Sequence, residues 1–345
     1  MARKLFYSLL LLIQFKILGG SMDYTENAIN VLAARTYKGI GKAWIVKNLS
    51  ENRNKDEIVT LLNFGSKVDY QITVDDFNKK KSILKRLIDE SREFIDGVVA
   101  IGDDAFPPYR GDVKNSEKPI FLFYRGDLSL LRQANNNVAV IGLLKPDNDT
   151  EEVESEVVAR LVESGATIVS GLAFGCDTIA HRQALKSNGY TVAVLPSPLN
   201  NIMPVKNTDL ANEIVRNRGL LITEYLTDAK SKREIGGRYQ ERDRLQALFS
   251  DAIILSASYA KNDIGNDSGS RLAMEYAMNY SIPRSVIYDS EINSNNPKYD
   301  LSRQLINEDP NIIKIDKNSM PSAISKIISL KQKSKIVQPS QEGLF

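Results

Sequence analysis

Thr167–Leu195 reads TIVSGLAFGCDTIAHRQALKSNGYTVAVL and holds one full cycle of the pattern that decides the fold. Its β-branched start predicts a strand over Thr167–Ser170, the helical spacing of apolar residues predicts a helix over Asp177–Asn188, and Thr191–Leu195 predicts the next strand. Outward from this segment the cycle repeats. Strands are expected at Val138–Ile141, Leu220–Thr223, Ala252–Leu255 and Arg284–Ile287, and helices near Glu151–Ser164, Asp209–Asn217, Tyr239–Phe249 and Gly269–Asn279. Three helices end before Gly165, Gly189 and Gly219, where glycine is expected to supply the left-handed residue that stops a helix. Strand, helix, glycine, strand at this spacing implies right-handed crossovers. The expected fold class is therefore α/β, a doubly wound, mostly parallel sheet covered by helices on both faces.

Ligands of such sheets bind beyond the carboxyl ends of the strands, so the loops opening at Gly142, Ser170, Pro196, Glu224 and Ser256 are the ones to inspect. Ser170-Gly171-Leu172-Ala173-Phe174-Gly175 is a small turn entering a helix near Cys176 or Asp177. Its free N–H groups and the helix dipole favour an anion such as phosphate. A Gly-x-x-x-Gly turn also has a purely steric reading, and its spacing matches neither the dinucleotide fingerprint nor the P-loop.

Upstream, the chain divides. Residues 1–21 imitate a signal peptide, but Gln14 and Lys16 interrupt the apolar run, which is too short to span a bilayer; they read as a leader or extended start outside the fold. Residues 22–90 are expected to form a helical amino-terminal domain in which Lys38-Gly39-Ile40-Gly41-Lys42 is a helix-hairpin-helix-like turn. Such a turn offers N–H groups to a DNA phosphate, with a plain packing unit as the competing reading. Residues 91–330 are the α/β domain, and 331–345 a flexible tail.

With 345 residues, 42% of them hydrophobic and 26% charged, the chain can bury a substantial core. One cysteine, Cys176, and one histidine, His181, exclude a disulfide and leave too few soft ligands for an ordinary zinc site. A net charge of +2 says nothing about partners, so any basic surface must come from local arrangement. Lys145, Arg182, Lys206, Arg242, Arg244 and Arg271 all fall in or near strand-end loops and helix starts, where they could line one face; solvated loop cations are the alternative.

Several of these runs together resemble the DNA-processing protein A family, called DprA or Smf. The residues are Ser170–Arg182, Thr191–Leu195 followed by Met203-Pro204-Val205-Lys206-Asn207, Gly219–Tyr225, Arg242-Asp243-Arg244-Leu245, Ser268-Gly269-Ser270, Phe106–Tyr109 and Phe123–Gly126. They stand in order over roughly residues 95–320. The resemblance implies that the α/β domain is an extended Rossmann-like one, in a cytoplasmic, dimeric, non-catalytic protein that binds single-stranded DNA and helps load the RecA recombinase, without cofactor, metal or membrane. It implies DNA or phosphate contacts at Gly142, Lys145, Ser170, Gly171, Phe174, Gly175, Lys206, Asn207, Arg242, Arg244, Ser268, Gly269 and Ser270. Two positions depart from the family. Gly142-Leu143-Leu144-Lys145 replaces the usual Gly-Ser-Arg, and Phe174 replaces an arginine in the glycine loop, giving up a charge for a base-stacking face.

His181 could serve as a base, but no nucleophile stands at a recognisable spacing, and a histidine hydrogen-bonded between helix and sheet is the favoured reading. Cys176 likewise reads as a small packing residue. The rival function is a nucleotide sensor or LOG-like phosphoribohydrolase in a mobile-element or defence setting. Against it, Ser268–Glu275 keeps one glycine where that family has three, and its glutamate is displaced. At the carboxyl terminus, Gln341-Glu342-Gly343-Leu344-Phe345 resembles the motif by which replication and repair proteins dock on the sliding clamp, with Gln341, Leu344 and Phe345 as anchors.

Overall fold

The computed structural model describes residues 23–261 and 268–334. The proposed leader and the clamp-like motif lie outside the described residues. Helices α1 (Glu26–Arg35), α2 (Lys42–Leu49), α3 (Lys55–Gly65) and α4 (Val74–Glu90) follow the short strand β1 (Asp23–Tyr24). The rest alternates: β2 (Gly97–Ala100), β3 (Phe121–Gly126), β4 (Asn136–Ile141), α5 (Asn148–Glu163), β5 (Ala166–Ser170), α6 (Cys176–Lys186), β6 (Thr191–Val194), α7 (Thr208–Arg216), β7 (Leu220–Thr223), α8 (Lys232–Leu248), β8 (Ala252–Leu255), α9 (Ser268–Asn279), β9 (Arg284–Ile287), α10 (Asp300–Glu308), β10 (Ile313–Ile315) and α11 (Met320–Ser334).

All ten strands form one sheet in the order β1-β2-β3-β7-β6-β5-β4-β8-β9-β10. Every pairing is parallel except β2–β3 and β3–β7. The six strands expected from the sequence are present and form the centre of the α/β, Rossmann-like sheet. The order runs one way from β4 to β7 and the other way from β8 to β10, so the topological switch point lies between β4 and β8.

Two helix ends differ from expectation. Gly165 does take the left-handed conformation, at φ +81°, but Asn188 and Arg218 take it in place of Gly189 and Gly219. Packing explains those two glycines. A Cβ at 189 would lie 2.5 Å from Val162 Cγ1, and one at 219 would lie 2.5 Å from Ile214 Cγ2. Two boundaries also move. Helix α8 starts at Lys232, seven residues before the expected Tyr239, because Ser231 caps it through the Glu234 N–H while Gly236 and Gly237 obscure its first turns in the sequence. Helix α11 runs to Ser334, four residues into the expected tail.

The amino-terminal helices do not stand apart from the sheet. Ile29, Leu32, Ile45, Leu62 and Phe77 share one apolar cluster with Phe123, Leu172, Ala193 and Leu221. A second and a third cluster fill the two faces of the central sheet, one beneath α8 and α9 and the other beneath α5, α6 and α11. No helix among the described residues is long and apolar enough to cross a membrane.

Candidate nucleic-acid interface

Strands β4, β5, β6, β7 and β8 end on one edge, and their loops form a rim. Loop β5–α6 is its centre. Leu172 sits there at φ +60°, an uncommon conformation for a residue with a Cβ, with its side chain fully buried against the amino-terminal helices. Gly175 follows at φ +72° and packs against the backbone of Leu143 and Leu144, a place where no side chain fits.

The loop's own aspartate occupies the position expected for a phosphate. Gly171 and Ala173 both donate their N–H to Asp177 Oδ2 at 3.2 Å. Arg242 lies 3.5 Å from the same oxygen, and its guanidinium covers Gly171 so closely that a Cβ would collide with it. The sequence carries a signal for this arrangement, an acid in the first turn of a helix following a glycine loop.

Other expected contact residues also turn inward. Ser170 is fully buried and donates to the Val140 carbonyl. Asn207 is buried, its amide donating to Leu172 O at 2.8 Å and to Thr178 Oγ1 at 2.9 Å, so it positions the glycine loop. Arg244, 2% exposed, is 2.5 Å from Glu224 and 3.5 Å from Glu241, while Lys42 from the hairpin turn lies 2.7 Å from Glu241 and 3.6 Å from Glu224. Arg244, expected at a phosphate, is thus buried in this structure and paired with carboxylates. The cost of desolvating this guanidinium is offset by the two carboxylates paired with its Nη2.

At the switch point, Gly142, Asp177, Arg242, Asp243, Gln246 and Ser270 enclose a cavity of about 50 Å³. Ser270 donates to the Gly142 carbonyl at 2.9 Å, which ties α9 to the β4 loop. Gly269 lines the same cavity.

The solvent side of the rim is different in character. Lys145, Arg182 and Lys206 are exposed. So are three apolar side chains on three consecutive strand-end loops, Leu144 after β4, Phe174 after β5 and Val205 after β6, at 49%, 43% and 71%. The sequence reading placed Phe174 here and missed Leu144 and Val205.

The two candidate reactive groups are buried. His181 Nδ1 lies 2.7 Å from Thr191 Oγ1, whose hydroxyl donates to Ile168 O at 2.9 Å, so the ring nitrogen is the donor to threonine. Burial, helped by nearby Arg242, lowers its pKa to about 3, so the ring is neutral. Burial raises the Cys176 thiol well above its ordinary value, the opposite of an activated nucleophile.

Comparison with known proteins places the chain in a family. The family described as DNA recombination-mediator protein A matches residues 97–320. The chain is 32% identical over 165 residues to Protein Smf of Synechocystis sp., covering 47% of this chain and 39% of that protein. It is 26% identical over 260 residues to DNA processing protein DprA of Streptococcus pneumoniae, covering 70% and 87%. The match spans less than half of the cyanobacterial protein, and 45% of Protein Smf of Borreliella burgdorferi. Among solved structures, DNA processing protein A of S. pneumoniae superposes with a TM-score of 0.64 at 22% identity, over 87% of this chain and 98% of that one. The Helicobacter pylori protein, whose structure was described for its single-stranded DNA binding mode, superposes with a TM-score of 0.50 at 25% identity, over 67% and 98%.

Proposed function

The chain belongs to the DNA recombination-mediator protein A family, and from that premise we propose that it binds single-stranded DNA along the rim formed by the loops after β4, β5 and β6, in DNA processing, uptake or recombination. One observation carries this reading: Phe174 stands exposed on the middle loop, with exposed Lys145 and Lys206 on the loops either side. An aromatic face accepts any base by stacking, and flanking ammonium groups neutralise the backbone, which is how sequence-tolerant single-strand binding is built. The H. pylori relative's described single-stranded DNA binding mode supports the same substrate.

In this reading Asp177, Arg242 and Asn207 hold the loop in shape, and Lys145, Phe174 and Lys206 touch the strand. The protein acts without catalysis or cofactor, works in the cytoplasm as a homodimer, and passes the strand to a RecA-type recombinase, with the tail at Gln341, Leu344 and Phe345 reaching the sliding clamp. The nucleotide-hydrolase alternative is disfavoured by the small switch-point cavity and by Glu275, which is exposed and 3.8 Å from Arg271 on the outer surface of α9. The test is fluorescence anisotropy with single-stranded DNA, duplex DNA and free nucleotides across a salt series. Preference for the single strand supports the proposal, and equal affinity for duplex or tight binding of a free nucleotide refutes it.

A further inference from the structure

Next to the rim, a groove of about 590 Å³ runs along the first half of α8 and is lined by Tyr225, Arg233, Gly237, Gln240 and Tyr276, among others. Its position follows from the sheet. Strand β7 pairs in parallel with β6, so the β7 loop bearing Tyr225 opens on the same edge as the β6 loop bearing Lys206. At its far side Glu241 of the groove holds Lys42 of the Gly39–Gly41 hairpin at 2.7 Å.

Three features of the groove bear on what it could hold, and the first, a glycine pair, has no role within the fold. Gly236 and Gly237 lie inside α8, where each costs about 0.5–1 kcal/mol relative to alanine. Nothing lies within 4 Å of where either Cβ would stand, so neither close packing nor, in a helix, left-handed backbone accounts for them. They leave bare helix, with Gly237 lining the groove and Gly236 next to it, at which a ligand can approach the backbone. The two tyrosines are held by other side chains, Tyr225 by the guanidinium of Arg238, also part of the groove wall, 4.2 Å from its ring and Tyr276 by stacking on Tyr280 at 5.7 Å and 22°. The groove's acids are already neutralised within the protein, Glu234 by Arg238 at 2.6 Å and Glu241 by Lys42 and Arg244. Lys230, Lys232 and Arg233 are exposed beside them.

We propose that this groove is a second section of the single-strand path, receiving nucleotides that extend past the rim, with bases against Tyr225 and Tyr276 and the backbone over Gly236–Gly237 toward Arg233. The inference rests on the rim reading and lengthens it. It predicts that a long strand gains affinity over a short one through residues that the short one never meets.

The experiment compares fluorescein-labelled oligothymidines of about 6 and about 20 nucleotides, lengths that bracket rim-only and extended binding. Each is titrated against the full chain, against Gly236→Gln/Gly237→Gln, which fills the groove with good helix formers, and against Arg233→Glu. Both variants are expected to bind the short strand like the parent and the long strand about tenfold more weakly. Unchanged affinity for the long strand overturns the groove while leaving the rim. Equal loss for both strands overturns it too, since the groove would then not be a separate section. Failure of the parent to bind either strand refutes the rim reading and the groove with it. A thermal melt at or above that of the parent shows that the glutamine variant is folded.

Discussion

Arg242 Nη1 lies 3.5 Å from Asp177 Oδ2, and both side chains are more than nine-tenths buried. The same carboxylate oxygen accepts the N–H groups of Gly171 and Ala173. A protein anion thus fills the turn that a phosphate fills in other glycine loops, and a cation laid across Gly171 neutralises it. The rim loop is consequently held in shape by the protein's own groups, and the groups left to meet a ligand are the ones that project outward.

Removing Asp177 leaves Arg242 buried without this carboxylate and two loop N–H groups without an acceptor. Asp177→Ala is expected to cost about 3–5 kcal/mol, the range for breaking a buried pair from one side. Urea unfolding measures it; a loss below about 1 kcal/mol would mean that the pair does not hold the loop.

In the proposed reading, phosphate contact along the rim falls to Lys145, Lys206 and Arg182, with partly exposed Arg271 as a fourth candidate. Four contacts predict a log-log salt slope near about −3, from about −0.7 per contact on single strands. Lys206→Glu should abolish most binding, and Lys206→Ala should flatten the slope by about one contact's worth. Arg244→Ala should lower the melting temperature, because Arg244 is buried against Glu224.

Phe174→Leu keeps an apolar side chain and removes the stacking face. Binding of single-stranded DNA should weaken by about 1–3 kcal/mol while the thermal midpoint stays in place. Loss of stability and binding together would assign Phe174 to packing.

Two buried groups give stability opposite slopes with pH. His181 is held neutral with a pKa of about 3 against 6.5 unfolded, so its contribution is present above pH 6.5 and is lost as pH falls toward 3. Glu154 is fully buried and its carboxyl is pushed up to about 8 from 4.5 by that burial. The folded state therefore holds the extra proton, and stability falls as pH rises from 4.5 through 8. Glu154→Gln should gain on the parent between about pH 5 and about pH 9, as read from urea midpoints. A constant difference across that range would place the Glu154 carboxyl near its ordinary value.

A peptide covering Gln338–Phe345 should bind purified sliding clamp at about micromolar strength. Deleting Leu344 and Phe345 should cut clamp binding and leave single-stranded DNA binding unchanged; equal clamp binding by both forms would remove the motif.

The central sheet was legible because its signal is local. Short β-branched runs and helical spacing alternate from Val138 to Ile287, and the loops at the carboxyl ends of the strands follow from that alternation alone. Strands β2, β3 and β10 escaped because they lie outside that alternation: β2 and β3 pair antiparallel before it begins, and β10 is a three-residue strand after it. Helix α8 was shortened because its glycine pair reads as a break.

The sequence by itself determined the α/β class, the order of the central elements, the edge on which the strand-end loops gather and the presence of an aromatic residue in its glycine loop. Only the tertiary structure decided which charges face solvent. Arg242 is 65 residues from Asp177, Arg244 is 20 from Glu224, and Lys42 is 199 from Glu241, so no local pattern pairs them. A charged side chain near a helix start looks the same in sequence whether it ends in water or in an ion pair. Its fate depends on which distant carboxylate the packing of helix against sheet brings beside it, and on whether their attraction offsets the cost of leaving water.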